Sequence, residues 1–384
     1  MILVDLTNLQ WRLGRMKRNL AIFTNLLRIA EFDRGIYINL SQSSRVGFAD
    51  YSRLPKIRSI AEYQVDDAAV TVLQAVDPLP LSYRLKGVSL LSGELVSRQI
   101  LRMTEGEPFV LWLNTIYPIE CGIASALARS AELVVFDNSD DMLTLEPSAS
   151  RSEAERRLKW MLRLATKTTC VNEHVFSQVQ HKRKLLFRNC TTFDALQKVT
   201  ANFTLAPWFP KPDGRKYVGF IGSLAEDRVD AELLEHLFSA FPNVTFLFVG
   251  WIGEGLLPLL ARHKNAHAVP EVPNDALGTV IRGFDAAIIP HSVNAATAGN
   301  DLLKLLDFNG CGVPVVTTPV SGATSGYTAL VASTKEEFAS AVQRCLDGDH
   351  GLDLARGVEY ARERSWEVQV PKLADWLGLQ RKRS

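Results

Sequence analysis

Three carboxylates crowd into the run FDNSDDM, at Asp137, Asp140 and Asp141, directly after the apolar stretch LVVFDN. A strand ending in such a cluster puts acids at the rim of a sheet. Repulsion between neighbouring carboxylates raises a pKa, which suits a general base drawing a proton from an attacking hydroxyl. A helix-capping role explains the same acids without any chemistry. A second grouping lies in GNDLLKLLDFNGCGVPVV, where Lys304 and Asp307 are three apart and can share one face of a helix. Asn300 or Asp301 is suited to cap that helix, and Gly310 or Gly312 to end it. A lysine near the positive helix end can neutralise a diphosphate, and a carboxylate one turn on can accept hydrogen bonds from ribose hydroxyls. A solvated Lys–Asp pair is the plainer account, and the spacing alone leaves both open. The third grouping follows KYVGFI, where Gly222 and Ser223 lead into AEDRVDAELLEHLF, with Arg228 at the mouth of an expected helix. Glycines after a strand let a backbone approach an anion, and they also make ordinary turns.

These residues need elements to hold them. Short β-rich runs recur at MILVDL (1–6), GIYINLS (35–41), AVTVLQAV (69–76), FVLWLN (109–114), LVVFDN (133–138) and TKTTCVN (166–172). Helical patterns separate several of them, notably over 18–32 and 153–166, and this alternation predicts right-handed crossovers and a parallel sheet. The loop-rich run RNCTTFDALQKVTANFTLAPWFPKPDGRK, with Pro and Gly clustered toward its end, places a linker near 190–212. A second series then runs through KYVGFIGSL (216–224), NVTFLFVGW (243–251), FDAAIIPHS (284–292) and VPVVTTP (313–319). The tail from Tyr360 through SWEVQVPKLADWLGL reads as a last helix carrying Trp366, Val370, Leu373 and Trp376. The expected fold class is therefore α/β, with two Rossmann-like domains over 1–195 and 207–364 and a closing helix over 365–384.

Composition narrows the function. A chain of 384 residues is long enough for two cores. Its 43 Lys+Arg against 42 Asp+Glu leave no basic excess for general nucleic-acid binding. The five cysteines are scattered without CxxC spacing, which argues against a disulfide framework or a zinc site and fits a reducing compartment. No stretch reaches the roughly 18 apolar residues of a spanning helix, so membrane association is expected only as peripheral. Arg12, Arg15, Lys17 and Arg18 precede a helix with Leu20, Phe23, Leu27 and Ala30 on one face. Core packing with a solvated basic end explains this, and a cationic edge for anionic lipid headgroups is the alternative, to which the tail Arg381, Lys382 and Arg383 would add.

The run DLLKLLDFNGCGVPVV resembles the donor-site pattern of GT-B glycosyltransferases, in which a lysine and a later acidic or amide residue precede a small-residue stretch and a Gly-x-Pro-Val-Val strand. The resemblance implies that Lys304 binds the donor diphosphate and Asp307 the ribose. YVGFIGSLAEDRVD is similar to the first donor-domain strand and loop of exopolysaccharide glycosyltransferases. PEVPNDALGTVIRGFDAAIIPHS resembles their nucleobase region, notably in the glucuronosyltransferases of xanthan assembly. By position Glu271 and Val272 would flank the base, and His291 would lie beside the donor. Without the family, Glu271 reads as a loop charge and His291 as a strand-end residue. In the first half WRLGRMKRNLAIFTNLLRI, LWLNTIYP and LVVFDNSDDMLTL are looser matches, and SWEVQV resembles the start of a helix crossing back onto domain one.

The resemblance implies a GT-B fold, with two domains facing a cleft. It also implies transfer from a nucleotide-diphosphate sugar, with a UDP-sugar favoured, to a glycan or lipid-linked saccharide in cell-surface polysaccharide synthesis. Ser139-Asp140-Asp141 is similar to the Ser-Asp-Gly of the xanthan-type enzymes, which makes Asp140 the expected base. The two-glutamate motif of retaining members is incomplete, with Asp307 for the second glutamate and Gly299 at the first. All seven histidines lie at or beyond His174. Both features lean toward inversion. No cofactor or metal is expected, since Lys304, Arg228 and a helix N-terminus supply the positive charge. The expected site is cytoplasmic, at most peripheral on the inner face of a membrane. A nucleotide-sugar epimerase of the same fold and a catalytically silent scaffold are the other readings.

Overall fold

The computed structural model describes residues 1–7, 11, 17–40, 57–75, 86–143, 150–198, 209, 214–294, 297, 301–320 and 328–382. The chain divides into two compact units, Met1–Arg188 with Val370–Ser384, and Asn189–Gln369. The sequence reading had put the first boundary at 195 and the return at 365.

The first unit is built on an eight-stranded sheet. Its strands are β1 (Ile2–Thr7), β2 (Arg34–Leu40), β3 (Ile57–Val65), β4 (Ala68–Ala75), β5 (Phe109–Leu113), β6 (Leu133–Asn138), β7 (Lys167–Cys170) and β8 (Lys184–Leu186), in the order β3-β4-β2-β1-β5-β6-β7-β8. All neighbours are parallel except β3 and β4, an antiparallel pair turning at Asp66–Asp67. The sequence reading missed β3, whose RSIAEYQ mixes polar and apolar residues as an edge strand does. It also missed β8, which has only three residues.

The helices of this unit are α1 (Arg18–Ile29), α2 (Lys86–Thr104), α3 (Pro118–Leu127), α4 (Arg151–Leu164) and α5 (Glu173–Gln178). Strand alternation splits the sheet into two faces. Ile2, Val4 and Leu6 join Leu111, Phe136, Ile123 and Met161 in one core. Residues of the opposite face, such as Asp5 and Thr7, look toward α1, where Asn19 Nδ2 donates to Thr7 Oγ1 at 3.3 Å.

The second unit carries α6 (Phe193–Gln197) and six parallel strands: β9 (Lys216–Ile221), β10 (Val244–Val249), β11 (Ala266–Val269), β12 (Ala286–Ile289), β13 (Val315–Thr317) and β14 (Leu330–Val331). Their order is β11-β10-β9-β12-β13-β14, so the direction of winding reverses between β9 and β12. Between strands run α7 (Ala231–Ala240), α8 (Leu257–Arg262), α9 (Asn274–Arg282) and α10 (Leu303–Gly310), and after the last strand come α11 (Lys335–Asp347), α12 (Leu354–Glu363) and α13 (Trp366–Leu377). Helices cover both faces, which explains why β10 is buried at every position. Phe220, Phe246 and Phe248 pack with Leu233, Leu237 and Phe338 on one side. Leu247, Val249 and Ile289 pack with Val280, Leu305 and Phe308 on the other.

The tail is two helices rather than the single one expected from Tyr360. Tyr360 belongs to α12, and the chain breaks at Arg364–Ser365, where Thr191 N donates to Arg364 O and Trp366 N to Thr191 O, each at 3.0 Å. Those bonds take the backbone groups a continuous helix would need. Helix α13 starts in the second unit and, from Val370, is part of the first, with Val370, Leu373 and Leu377 buried. No helix among the described residues is long and apolar enough to cross a membrane.

Candidate functional site

The C-terminal edge of the second sheet gathers most of the predicted donor residues at the β9/β12 reversal, the place where parallel α/β sheets open a crevice for ligands. Strand β9 runs into Gly222, whose φ of +113° is a conformation that glycine adopts without cost. Its N–H donates to Val249 O at 2.9 Å, and its own carbonyl lies 2.4 Å from where a Cβ on Gly250 would stand, so both strand ends need glycine. Ser223 is exposed beside it.

Lys304, on the first turn of α10, reaches back over this turn. Among the described residues a Cβ on Gly222 would meet only Lys304, at 3.7 Å from Cε and 3.8 Å from Nζ. Nζ sits 4.0 Å from the centroid of the Phe220 ring and 3.2 Å from Nε2 of His291. His291 follows β12, is buried, and is held through its backbone, which pairs with Val229 and accepts the Thr318 hydroxyl at 2.6 Å. Arg228 is carried by the same pairing: Ser292 N donates to Arg228 O at 2.9 Å. Three basic groups therefore converge. Burial, then Lys304 and Arg228, push His291 down to about 3. Burial and then Arg228 push Lys304 down to about 7, against an opposing pull from Asp307. Basic groups crowded in this way oppose one another's charge, and an anion placed among them would relieve that opposition.

Asp307 lies on the same helix, but its Oδ1 accepts the Thr191 hydroxyl at 2.6 Å. Burial pushes its carboxyl up to about 6, with the Thr191 bond and Lys304 acting the other way. Helix α10 is not capped as the sequence suggested. Its N-cap is Leu302 without a side-chain bond, and Asp301 instead accepts from Asn189 N at 2.6 Å and stands 3.4 Å from Arg364. Asn300 and Gly299 lie outside the described residues. Glu271, exposed, and Val272, half-buried against the core, follow β11. That strand is two positions from β9, roughly 10 Å at the usual strand spacing. Two contributors escaped sequence reasoning: Phe220, which reads as an ordinary core aromatic, and Thr191, more than a hundred residues from the carboxylate it binds.

In the first unit the acid cluster separates into unlike parts. Asp137 is fully buried, gripped by Arg18 Nε and Nη2 at 2.9 Å each and by the Thr169 hydroxyl at 2.6 Å. Arg18 also donates to Phe187 O at 2.7 Å. This corrects the expectation of a cationic edge that included Arg18: its charge is spent inside the domain. Lys17 is exposed, Arg12, Arg15 and Arg383 lie outside the described residues, and Arg381 and Lys382 pair with Asp375 and Asp67. Asp140 is half-exposed, and its Oδ1 accepts from Asp141 N at 2.9 Å. Asp141 accepts from Leu143 N and lies 3.3 Å from His174 Nε2. Asp140 and Asp141 open onto a cavity of about 660 Å³ that also involves Leu158, Val175, His181 and Arg183.

Comparison with known proteins finds a family match over part of the chain. Residues 215–348 match the family described as glycosyl transferases group 1. No protein of curated function matches the chain. Among solved structures it is similar over its whole length to an E. coli trehalose-6-phosphate protein bound with UDP-2-fluoro glucose, at 10% identity, TM-score 0.66 and full coverage of both chains. It is similar to Anabaena HepE in complex with UDP and glucose, at 14% identity and TM-score 0.66, covering 98% of this chain and 99% of that one. A UDP-forming trehalose-phosphate synthase from Burkholderia xenovorans matches at 12% identity and TM-score 0.64, over 98% of both. The fold is α/β with parallel sheets, of the GT-B kind.

Proposed function

We propose that this chain is a GT-B glycosyltransferase that moves a hexosyl or uronosyl group from a nucleotide-diphosphate sugar, held by the second unit, to a hydroxyl of a glycan or lipid-linked saccharide. The observation carrying this reading is the convergence of Lys304, His291 and Gly222 at the β9/β12 reversal, inside the segment that matches the glycosyltransferase family. The nucleotides held by similar structures, UDP and UDP-2-fluoro glucose, favour a uridine donor.

In this reading the diphosphate lies against the Gly222 turn, which carries no side chain of its own, beside the Lys304 ammonium. Lys304 and Arg228 neutralise the charge that grows on it as the bond to the anomeric carbon breaks. Glu271 and Val272 flank the nucleobase, and Asp307, steadied by Thr191, takes the ribose. Asp140 removes the proton of the acceptor hydroxyl as its oxygen attacks the anomeric carbon from the face opposite the diphosphate, which inverts the configuration. The cationic groups do the neutralising, so the scheme needs no metal. Cell-surface polysaccharide synthesis at the inner face of a membrane is the setting proposed with it.

Calorimetric titration with UDP, GDP, ADP and their sugar conjugates tests the donor site, repeated on Lys304→Ala. Selective binding lost in the variant supports the reading and names the base. Binding of none of them by the unmodified protein sinks it in favour of a silent scaffold. Turnover of a bound nucleotide sugar to an isomer without acceptor favours the epimerase.

A further inference from the structure

Lys304 is placed unlike an ordinary anion-binding lysine. Its neighbours are a second basic group at 3.2 Å, an aromatic face at 4.0 Å and a glycine turn. Among the described residues no carboxylate is within ion-pair distance of it. The charged groups acting on it are Arg228 in the loop after β9, which lowers it, and Asp307 on its own helix, which raises it, while His291 beyond β12 faces it as a hydrogen-bond partner. Of these only Asp307 is acidic, and Thr191 already bonds it.

Hydrogen-bond accounting at His291 bears on the same point. Its Nδ1 is buried and, among the described residues, has no hydrogen-bond partner. If Lys304 were an ammonium donating to Nε2, the imidazole proton would have to sit on Nδ1, as a buried N–H without an acceptor. If Lys304 is an amine, Nε2–H donates to the Nζ lone pair, and Nδ1 is a bare acceptor. Buried orphan N–H groups are rarer than under-used acceptors.

We propose that Lys304 and His291 form a proton-coupled pair: in the empty site Lys304 is a neutral amine accepting Nε2–H of His291, and a nucleotide diphosphate is captured together with one proton from solvent. This rests on the donor-site reading above and adds how the site is charged. The step is a protonation: the Nζ lone pair takes the proton, His291 keeps its own, and no other covalent bond changes. Once Nζ is an ammonium it has no lone pair for Nε2–H, which becomes a second donor toward the same anion. The positive groups are thereby spared mutual repulsion until the anion arrives. Lys304 held at about 7 by burial and Arg228 puts the coupling in the neutral range.

The test is calorimetry of UDP-glucose binding in buffers of different ionisation enthalpy. A nucleotide sugar is the right probe, because its diphosphate carries no group that titrates near neutrality. Net proton uptake should rise from near zero at about pH 6 to about one per nucleotide at about pH 8, with Kd increasing up to about tenfold per pH unit above the midpoint. Lys304→Arg, a cation that stays charged, should bind without uptake and with a flat pH profile. Binding by the unmodified protein without uptake at about pH 8 overturns the coupling and leaves the donor site standing. Uptake that persists in Lys304→Arg also overturns it. Nitrogen NMR of the empty protein decides the matter independently of binding: an Nε2–H tautomer at His291 and a Lys304 amine titrating near neutrality are expected. An Nδ1–H tautomer, or a Lys304 titrating like an exposed lysine, refutes the pair. Failure of any nucleotide to bind counts against the donor site itself.

Discussion

Arg18 and Asp137, 119 residues apart, close a two-pronged ion pair inside the first unit, with both nitrogen–oxygen distances at 2.9 Å. It joins the first residue of α1 to β6, and through Phe187 O it ties in the segment after β8. It also buries the Asp137 carboxylate away from any substrate and leaves Asp140 and Asp141 as the partly exposed acids just beyond that strand end.

Breaking this pair from one side leaves a buried charge. Asp137→Ala should therefore destabilise the protein by about 3–5 kcal/mol, read as a lower midpoint in denaturant unfolding of the full chain. An unchanged midpoint would mean that water reaches Arg18 freely.

Asp140→Asn keeps shape and removes the proton acceptor. Sugar transfer should fall by about 10²–10⁴-fold, the usual worth of a general base, while nucleotide affinity stays nearly intact. Near-normal turnover would eliminate Asp140 as the base.

Lys304→Ala removes the cation nearest the Gly222 turn. Nucleotide affinity should drop by about 1.5–3 kcal/mol, the worth of a charge-assisted hydrogen bond, or roughly ten- to more than a hundredfold in Kd. Equal affinity in isothermal titration would reject Lys304 as the diphosphate ligand.

Gly222→Ala tests the turn itself. At φ +113° an alanine is strained by about 1–3 kcal/mol, although its Cβ would make only ordinary contacts with Lys304. Weaker nucleotide binding and a lower unfolding midpoint should appear together. Loss of neither would show that the turn relaxes without cost.

Asp5 provides a pH-dependent prediction. It is fully buried with Oδ2 unpartnered among the described residues, and burial, then the Asp137 carboxylate, hold it well above the usual carboxylate range against a bond from Asn114. A carboxyl held up in the folded chain contributes its stability below the unfolded value, about 3.9, and loses it as pH rises toward the folded value. Asp5→Asn should thus gain on the unmodified protein in melting temperature at about pH 8 and not at about pH 4. The same difference at both pH values would mean that Asp5 does not titrate differently on folding.

Much of the fold was legible because parallel strands buried on both faces must be apolar runs, and helices between them must be amphipathic. That is why MILVDL, FVLWLN and NVTFLFVGW marked β1, β5 and β10. The mixed composition of β3 and the brevity of β8 and β14 carried no such pattern. Lys304 and Gly222 could be singled out locally, since each stands at a strand or helix end that glycine and periodicity announce, whereas His291 was singled out only by the family resemblance. What they do to one another could not be read so. Residues 222, 291 and 304 come within reach only because β12 pairs with β9 rather than with β11. Likewise nothing local tells Asp137 from Asp140, or sends Asp301 to Arg364 and Asp307 to Thr191. Sequence determined the elements and the kinds of charge at their ends, through short-range periodicity and turn chemistry. Tertiary structure alone decided which charges are paired, buried or left for a ligand, because burial and distance belong to strand order and not to neighbours in the chain.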